Sequence, residues 1–130
     1  MKIRILHLED NAIKHASIAR LINNNINADI DWVKNVETGL EKIEENIEKN
    51  SVYDLAITDM HYPLNEYGEA DCDAGEKFIE KVNSMGVKLP IIVCSSLNMK
   101  IPEAFGCVWY NDNRDWEDEL LSLVKKIYMK

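Results

Sequence analysis

Residues 3–11 read IRILHLEDN, and the order of residue types in that stretch decides how the rest of the chain is read. Ile3, Ile5, Leu6 and Leu8 form a short run dense in branched apolar side chains, which predicts a buried strand. The run stops at two acids, Glu9 and Asp10. A buried strand that ends on charge delivers that charge to the carboxyl ends of the strands, where open α/β sheets bind their ligands.

The same grammar recurs further along. YDLAITD (53–59) is again near-continuously apolar and closes on Asp59, and Leu89 to Cys94 runs into Ser95-Ser96. Cys107 to Tyr110 precedes Asn111-Asp112-Asn113. Ala28 to Lys34 alternates apolar and polar residues instead, the pattern of a strand nearer the sheet edge.

Between these runs the period lengthens to that of helices. Ala12, Ile13, Ala16, Ile18, Ala19, Leu21 and Ile22 recur at three- and four-residue steps, with Asp10 or Asn11 as N-cap and Asn23-Asn24-Asn25 as the stop. Thr38-x-x-Glu41 has capping-box spacing, and Val36, Leu40, Ile43 and Ile47 share a face opposite a solvated run of Glu and Lys. From Gly75, Phe78, Ile79, Val82 and Met85 mark a third helix that Gly86 ends. The last helix turns Trp116, Leu120, Leu123, Val124 and Ile127 inward, with Lys125, Lys126 and Lys130 complementing its C-terminal dipole. Two segments do not fit this scheme: residues 60–73 read as a long surface loop, and Leu97 to Phe105, interrupted by Pro102, is too short for a full helix.

Strands alternating with helices predict a parallel sheet with right-handed crossovers and helices on both faces. At 130 residues and 46% apolar, the chain has room for one domain, residues 1–130, with a core that needs no disulfide. Cys72, Cys94 and Cys107 are odd in number and lack metal-site spacing. The balance of 15 Lys+Arg against 23 Asp+Glu, net −8, speaks against direct nucleic-acid binding. No apolar run is long enough for a membrane span or a signal peptide, so a cytoplasmic protein is expected.

The strand ends collect Glu9, Asp10, Asp59, Ser95 and Asn111. Three carboxylates from two strands repel one another unless a cation sits among them or one is protonated. Oxygen ligands without a His/Cys set favour Mg²⁺ or Mn²⁺. A carboxylate beside such an ion can attack phosphorus, and the Ser95 hydroxyl can donate to the phosphoryl oxygens.

In their order and separations, LHLEDN, YDLAITD followed by MHYP, and PIIVCSS resemble the receiver domain of two-component response regulators, the CheY-like family, over nearly the whole chain. The resemblance implies a flavodoxin-like, doubly wound, five-stranded parallel sheet of order 2-1-3-4-5. It implies that Asp59 accepts phosphate from a histidine kinase or phosphotransferase. It also implies that Asp10, Asp59, the backbone carbonyl of His61 and, through water, Glu9 hold Mg²⁺, while Ser95 closes on the phosphate. The expected role is that of a stand-alone receiver signalling to a protein effector.

The chain departs from the family pattern in several places. Asn111, followed by Asp112, stands where the family has Lys followed by Pro, and Val108 falls at the aromatic switch position. The segment between Ser95 and Asn111 is shorter than usual by about one and a half helical turns, so the fourth helix is expected to be shortened or absent. These departures support an alternative, a non-phosphorylated pseudo-receiver serving as a constitutive protein-interaction module. An aspartyl-nucleophile phosphatase is disfavoured because the first strand lacks DxD, and a nucleotide or flavin binder because Glu-Asp-Asn-Ala lacks the glycines of a phosphate cradle.

Overall fold

A computed structural model describes residues 2–113 and 115–129. The chain runs β1 (Ile3–Leu8), α1 (Ala12–Asn25), β2 (Ala28–Val33), α2 (Val36–Glu48), β3 (Leu55–Thr58), β4 (Tyr62–Pro63), β5 (Ala70–Asp71), α3 (Ala74–Ser84), β6 (Ile91–Ser95), β7 (Gly106–Trp109) and α4 (Trp116–Tyr128). Five strands form one parallel sheet in the order β2-β1-β3-β6-β7. Counting only the strands of that sheet, this is the expected order 2-1-3-4-5, with the alternating β2 at an edge.

Strand alternation divides the core in two. Ile3 and Ile5 pack with Ile18 and Ile22 of α1 and Leu120 and Val124 of α4. Leu6 and Leu8 point the other way, to Val36 and Ile43 of α2 and to Phe78, Ile79 and Val82 of α3. Helices therefore cover both faces, which is why β1, β3 and β6 are buried along nearly their whole length. All three cysteines are free. Among the described residues no helix is long and apolar enough to cross a membrane.

Several local expectations change. The buried face of α1 is Lys14, Ile18 and Ile22, a four-residue ladder, whereas Ile13 is 80% exposed and Ala12 and Ala16 also face solvent. Its N-cap is Asn11, whose side chain accepts from Lys14 N at 3.0 Å. The capping residue of α2 is Asn35, accepting from Thr38 N at 2.8 Å, so Thr38 lies inside the helix and does not open a capping box. Lys130 lies outside the described residues.

Residues 60–73 are not a plain surface loop. They hold the antiparallel β4–β5 pair, with Met60 and Tyr62 buried. The Tyr62 hydroxyl bonds Thr58 Oγ1 at 2.7 Å, and Thr58 Oγ1 donates to the Asp59 carbonyl at 2.8 Å. Two apolar anchors inside a polar sequence explain why composition alone suggested a solvated loop. Between β6 and β7 there is no helix, only turns and bends, with Met99, Ile101 and Ala104 packed against the α2/α3 side of the core. Here the expectation of a shortened or absent fourth helix is met by its absence from residues 96–105.

On the α1 side of the sheet, His7 Nδ1 meets His15 Nδ1 at 2.8 Å, and His15 stacks on Trp32 with centroids 4.1 Å apart. That Nδ1 pair has room for one proton, because protonating both nitrogens would set two N–H groups against each other. Burial, then the neighbouring His15 and Lys14, lower the His7 pKa to about 3. A folded-state value below the unfolded one means that the unfolded chain takes up the proton first as pH falls. The resulting stability is fully present above about pH 6.5 and is lost progressively toward about pH 3.

Two predictions follow from this packing. Between pH 7 and pH 5 the wild type should lose about 2 kcal/mol more stability than His7→Leu in urea denaturation, and equal losses would mean that His7 is not held neutral. At Gly75 in the first turn of α3, an added Cβ would lie 2.4 Å from the Asp59 carbonyl oxygen and 2.9 Å from Met60 Sδ. Although alanine is the better helix former, Gly75→Ala should therefore destabilise the protein, by about 1–3 kcal/mol.

Candidate functional site

Register places the acids. Leu8 is paired with Val33 on one side and Thr58 on the other, so Glu9 and Asp59 leave the sheet side by side. Glu9 N donates to Val33 O at 3.0 Å and Asp59 N to Leu8 O at 3.1 Å, which extends the ladder one step past the strands. Asp10 follows at the start of the turn into α1, exposed, while Glu9 is buried and Asp59 half-buried. One carboxylate oxygen from each of the three lies within 4.8 Å of the others.

These acids line an open cleft of about 520 Å³, together with His61, Ser95 and Tyr110. Ser95 ends β6, and its Oγ accepts from Leu97 N at 3.1 Å, which leaves the hydroxyl proton free to donate. Asn111 does not line the cleft: its Oδ1 accepts from Asn113 N at 2.8 Å and shapes the turn before α4. The residue that follows β7 into the cleft is Tyr110, whose N donates to Ser95 O at 2.7 Å.

The structure adds a residue that the sequence reading left out. Lys14 comes off the buried face of α1, and its Nζ lies 3.0 Å from Glu9 Oε1, 3.2 Å from Asp59 Oδ1 and 2.7 Å from the Cys94 carbonyl oxygen. It also sits 5.2 Å from the centroid of the Tyr110 ring, within cation–π range. The available signal was the spacing Lys14, Ile18, Ile22, a lysine on the same helical face as two core isoleucines.

Burial raises the Glu9 pKa; Lys14 pulls it down and Asp59 adds to the rise, leaving it above the usual carboxylate range. For Lys14, burial alone would lower the pKa, but the negative charges of Glu9 and Asp59 outweigh it and the net shift is upward. The ammonium therefore stays charged where it lies. Asp59 Oδ1 also accepts from Met60 N at 2.8 Å. Among the described residues, hydrogen bonds and ion pairs reach only that oxygen, so Oδ2 is the one left for chemistry.

A divalent ion fits this donor set. The ligands are oxygens only, and Glu9 Oε1 is buried without a well-directed hydrogen bond despite its ion pair to Lys14. Three carboxyl groups stand beside a single ammonium, and a divalent cation among them would favour the ionised form of Glu9 that burial opposes.

No protein-family model matches the chain, and no curated protein matches it by sequence. Its fold, in contrast, matches many solved structures. The receiver domain of the sensor histidine kinase PA1611 from Pseudomonas aeruginosa PAO1, solved with magnesium coordinated in its active-site cleft, superposes with a TM-score of 0.74 at 14% identity, covering 100% of both chains. The response regulatory domain of mrkE from Klebsiella pneumoniae gives 0.73 at 14% identity, over 98% of this chain and 96% of that one. The signal receiver domain of an HD domain-containing protein from Pseudomonas fluorescens Pf-5 gives 0.72 at 12% identity, over 99% and 96%. With its strand order, its helices on both faces and its acids at the strand ends, the chain has the receiver-domain fold of response regulators.

Proposed function

We propose that the chain acts as a receiver of a two-component phosphorelay, with Asp59 accepting a phosphoryl group in a reaction that depends on Mg²⁺ or Mn²⁺. The observation that carries this reading is the state of Asp59. One of its oxygens is fixed by Lys14 Nζ and Met60 N, the other is left for chemistry, and Glu9 and Asp10 stand beside it. Positioning of this kind is most of what phosphoryl transfer asks of a protein.

Asp10, Asp59 and the His61 backbone carbonyl would hold the ion directly, with Glu9 acting through water. Bound there, the ion would neutralise charge on the equatorial oxygens of the transferring group. The magnesium in the cleft of the PA1611 receiver domain supports this assignment. Ser95 would donate its hydroxyl proton to a phosphoryl oxygen. The donor would be a sensor histidine kinase or phosphotransferase, and the changed state would be read by a protein effector. The intact acid cluster favours this reading over a constitutive, non-phosphorylated module.

Intact-mass spectrometry after incubation with Mg²⁺ and acetyl phosphate tests it. One phosphoryl increment is expected on the wild type, none on Asp59→Asn and none after chelation of the metal. If neither acetyl phosphate nor any histidine kinase tried adds a phosphoryl group to the wild type, the reading is overturned.

A further inference from the structure

A fixed positive charge against the incoming phosphoryl group would stabilise the charge that shifts in transfer, and among the described residues the end of β7 brings no cationic side chain into the cleft. Tyr110 enters the cleft there and Asn111 stays outside it, and both are uncharged. The buried ammonium that does reach Asp59 comes out of α1. We propose that Lys14 is the residue that meets the transferred phosphoryl group, so that the cation of this site comes from α1.

Three features carry this inference. Lys14 Nζ is 3.2 Å from Asp59 Oδ1, so a group bonded to the other oxygen of that carboxylate comes within its reach. Its hydrogen bond to the carbonyl of Cys94, 2.7 Å long, holds the ammonium next to Ser95, the hydroxyl proposed to face the same oxygens. The ring centroid of Tyr110 lies 5.2 Å from the ammonium, and both residues line the cleft. A lysine carries three donor hydrogens, so it can keep its carbonyl contact while turning one N–H to a phosphoryl oxygen.

The step is balanced with acetyl phosphate as donor. Asp59 Oδ2 forms a bond to phosphorus while the bond from phosphorus to the acetate oxygen breaks, and its electron pair leaves with acetate. Lys14 donates hydrogen bonds to the non-bridging oxygens and neither gains nor loses a proton overall. An ammonium already in place pays no reorganisation cost as charge shifts.

This inference rests on the receiver reading, and the experiment separates the two. The initial rate of phosphoryl incorporation from acetyl phosphate is measured by intact mass for the wild type, Lys14→Met, Lys14→Arg and the double variant Lys14→Met/Tyr110→Lys. Mg²⁺ affinity is followed in parallel by Trp32 fluorescence, because Trp32 Nε1 donates to the Glu9 backbone carbonyl at 2.6 Å.

Lys14→Met should lower the rate by about tenfold or more, with Lys14→Arg between it and the wild type. Mg²⁺ affinity in Lys14→Met should be unchanged or higher, since a competing positive charge has gone. A lysine placed at Tyr110 should restore a large part of the rate, which a merely structural role for Lys14 would not allow. Should Lys14→Met fail to fold, Lys14→Gln replaces it in each comparison, alone and with Tyr110→Lys. Equal labelling of wild type and Lys14→Met, or a double variant that folds and binds Mg²⁺ yet labels no faster than Lys14→Met, overturns this inference alone. An unlabelled wild type overturns the receiver reading and this inference with it.

Discussion

The ammonium of Lys14, pressed between Glu9 Oε1, Asp59 Oδ1 and the Cys94 carbonyl, is the interaction on which the arrangement of the strand ends depends. Taking charges out of water costs several kcal/mol per ion, and mutual attraction offsets this only when the geometry is good and the remaining polar positions are satisfied. Here one cation serves two carboxylates and a backbone oxygen, while Asp10 stays in solvent, where its charge costs little. The chain as a whole carries a net charge of −8, so a distant surface charge would do little to relieve the repulsion at this point. A local cation is required, and α1 delivers it from its own buried face.

For that pairing to hold, Asp59 must stay where β3 leaves it. Three contacts from different parts of the chain converge on its backbone and on the residue after it. Asp59 N continues the β1 ladder through the Leu8 carbonyl, Thr58 and buried Tyr62 fasten the Asp59 carbonyl, and Gly75 N donates to Met60 O at 3.2 Å. The lack of a side chain at Gly75 lets α3 approach this close. Residues that look peripheral in sequence, in a polar stretch and at a helix start, thus fix the central carboxylate more tightly than the sheet alone would.

Much of this was legible in the sequence, and the rest was hidden for physical reasons. Strand identity and the acids at the strand ends were readable because burial on both faces demands apolar runs, and charge appears where such a run stops; strand order came from the resemblance of the ordered motifs to a known family. The hairpin at Tyr62–Pro63 and Ala70–Asp71 was not, since two anchors in a polar stretch leave no periodic signal. Lys14 escaped because a lysine in an amphipathic helix ordinarily marks the solvated side, and Ile13 beside it looked like the core residue. The question of where repelling carboxylates find their counter-charge was answerable only once Ile18 and Ile22, and not Ile13, were seen to face the sheet. Asn111 follows the apolar run 107–110 and stands at the position where the resemblance has a lysine. The strand ends at Trp109, however, and Tyr110 turns in first.

The placement of the cation also bears on how the site connects to the rest of the molecule. Val108 is buried against the α1/α4 layer and has no ring to rotate, and no helix bridges β6 and β7. Among the described residues, the side chain that touches both Asp59 and the end of β6 belongs to α1, through Lys14. The next residue of the same helix, His15, stacks on Trp32, and the Trp32 indole holds the backbone of Glu9. A closed circuit therefore runs from the acid pair through α1 and β2 and back to Glu9. Lys14 is the direct partner of Asp59, so a change in charge there bears on the contact through which α1 meets the site.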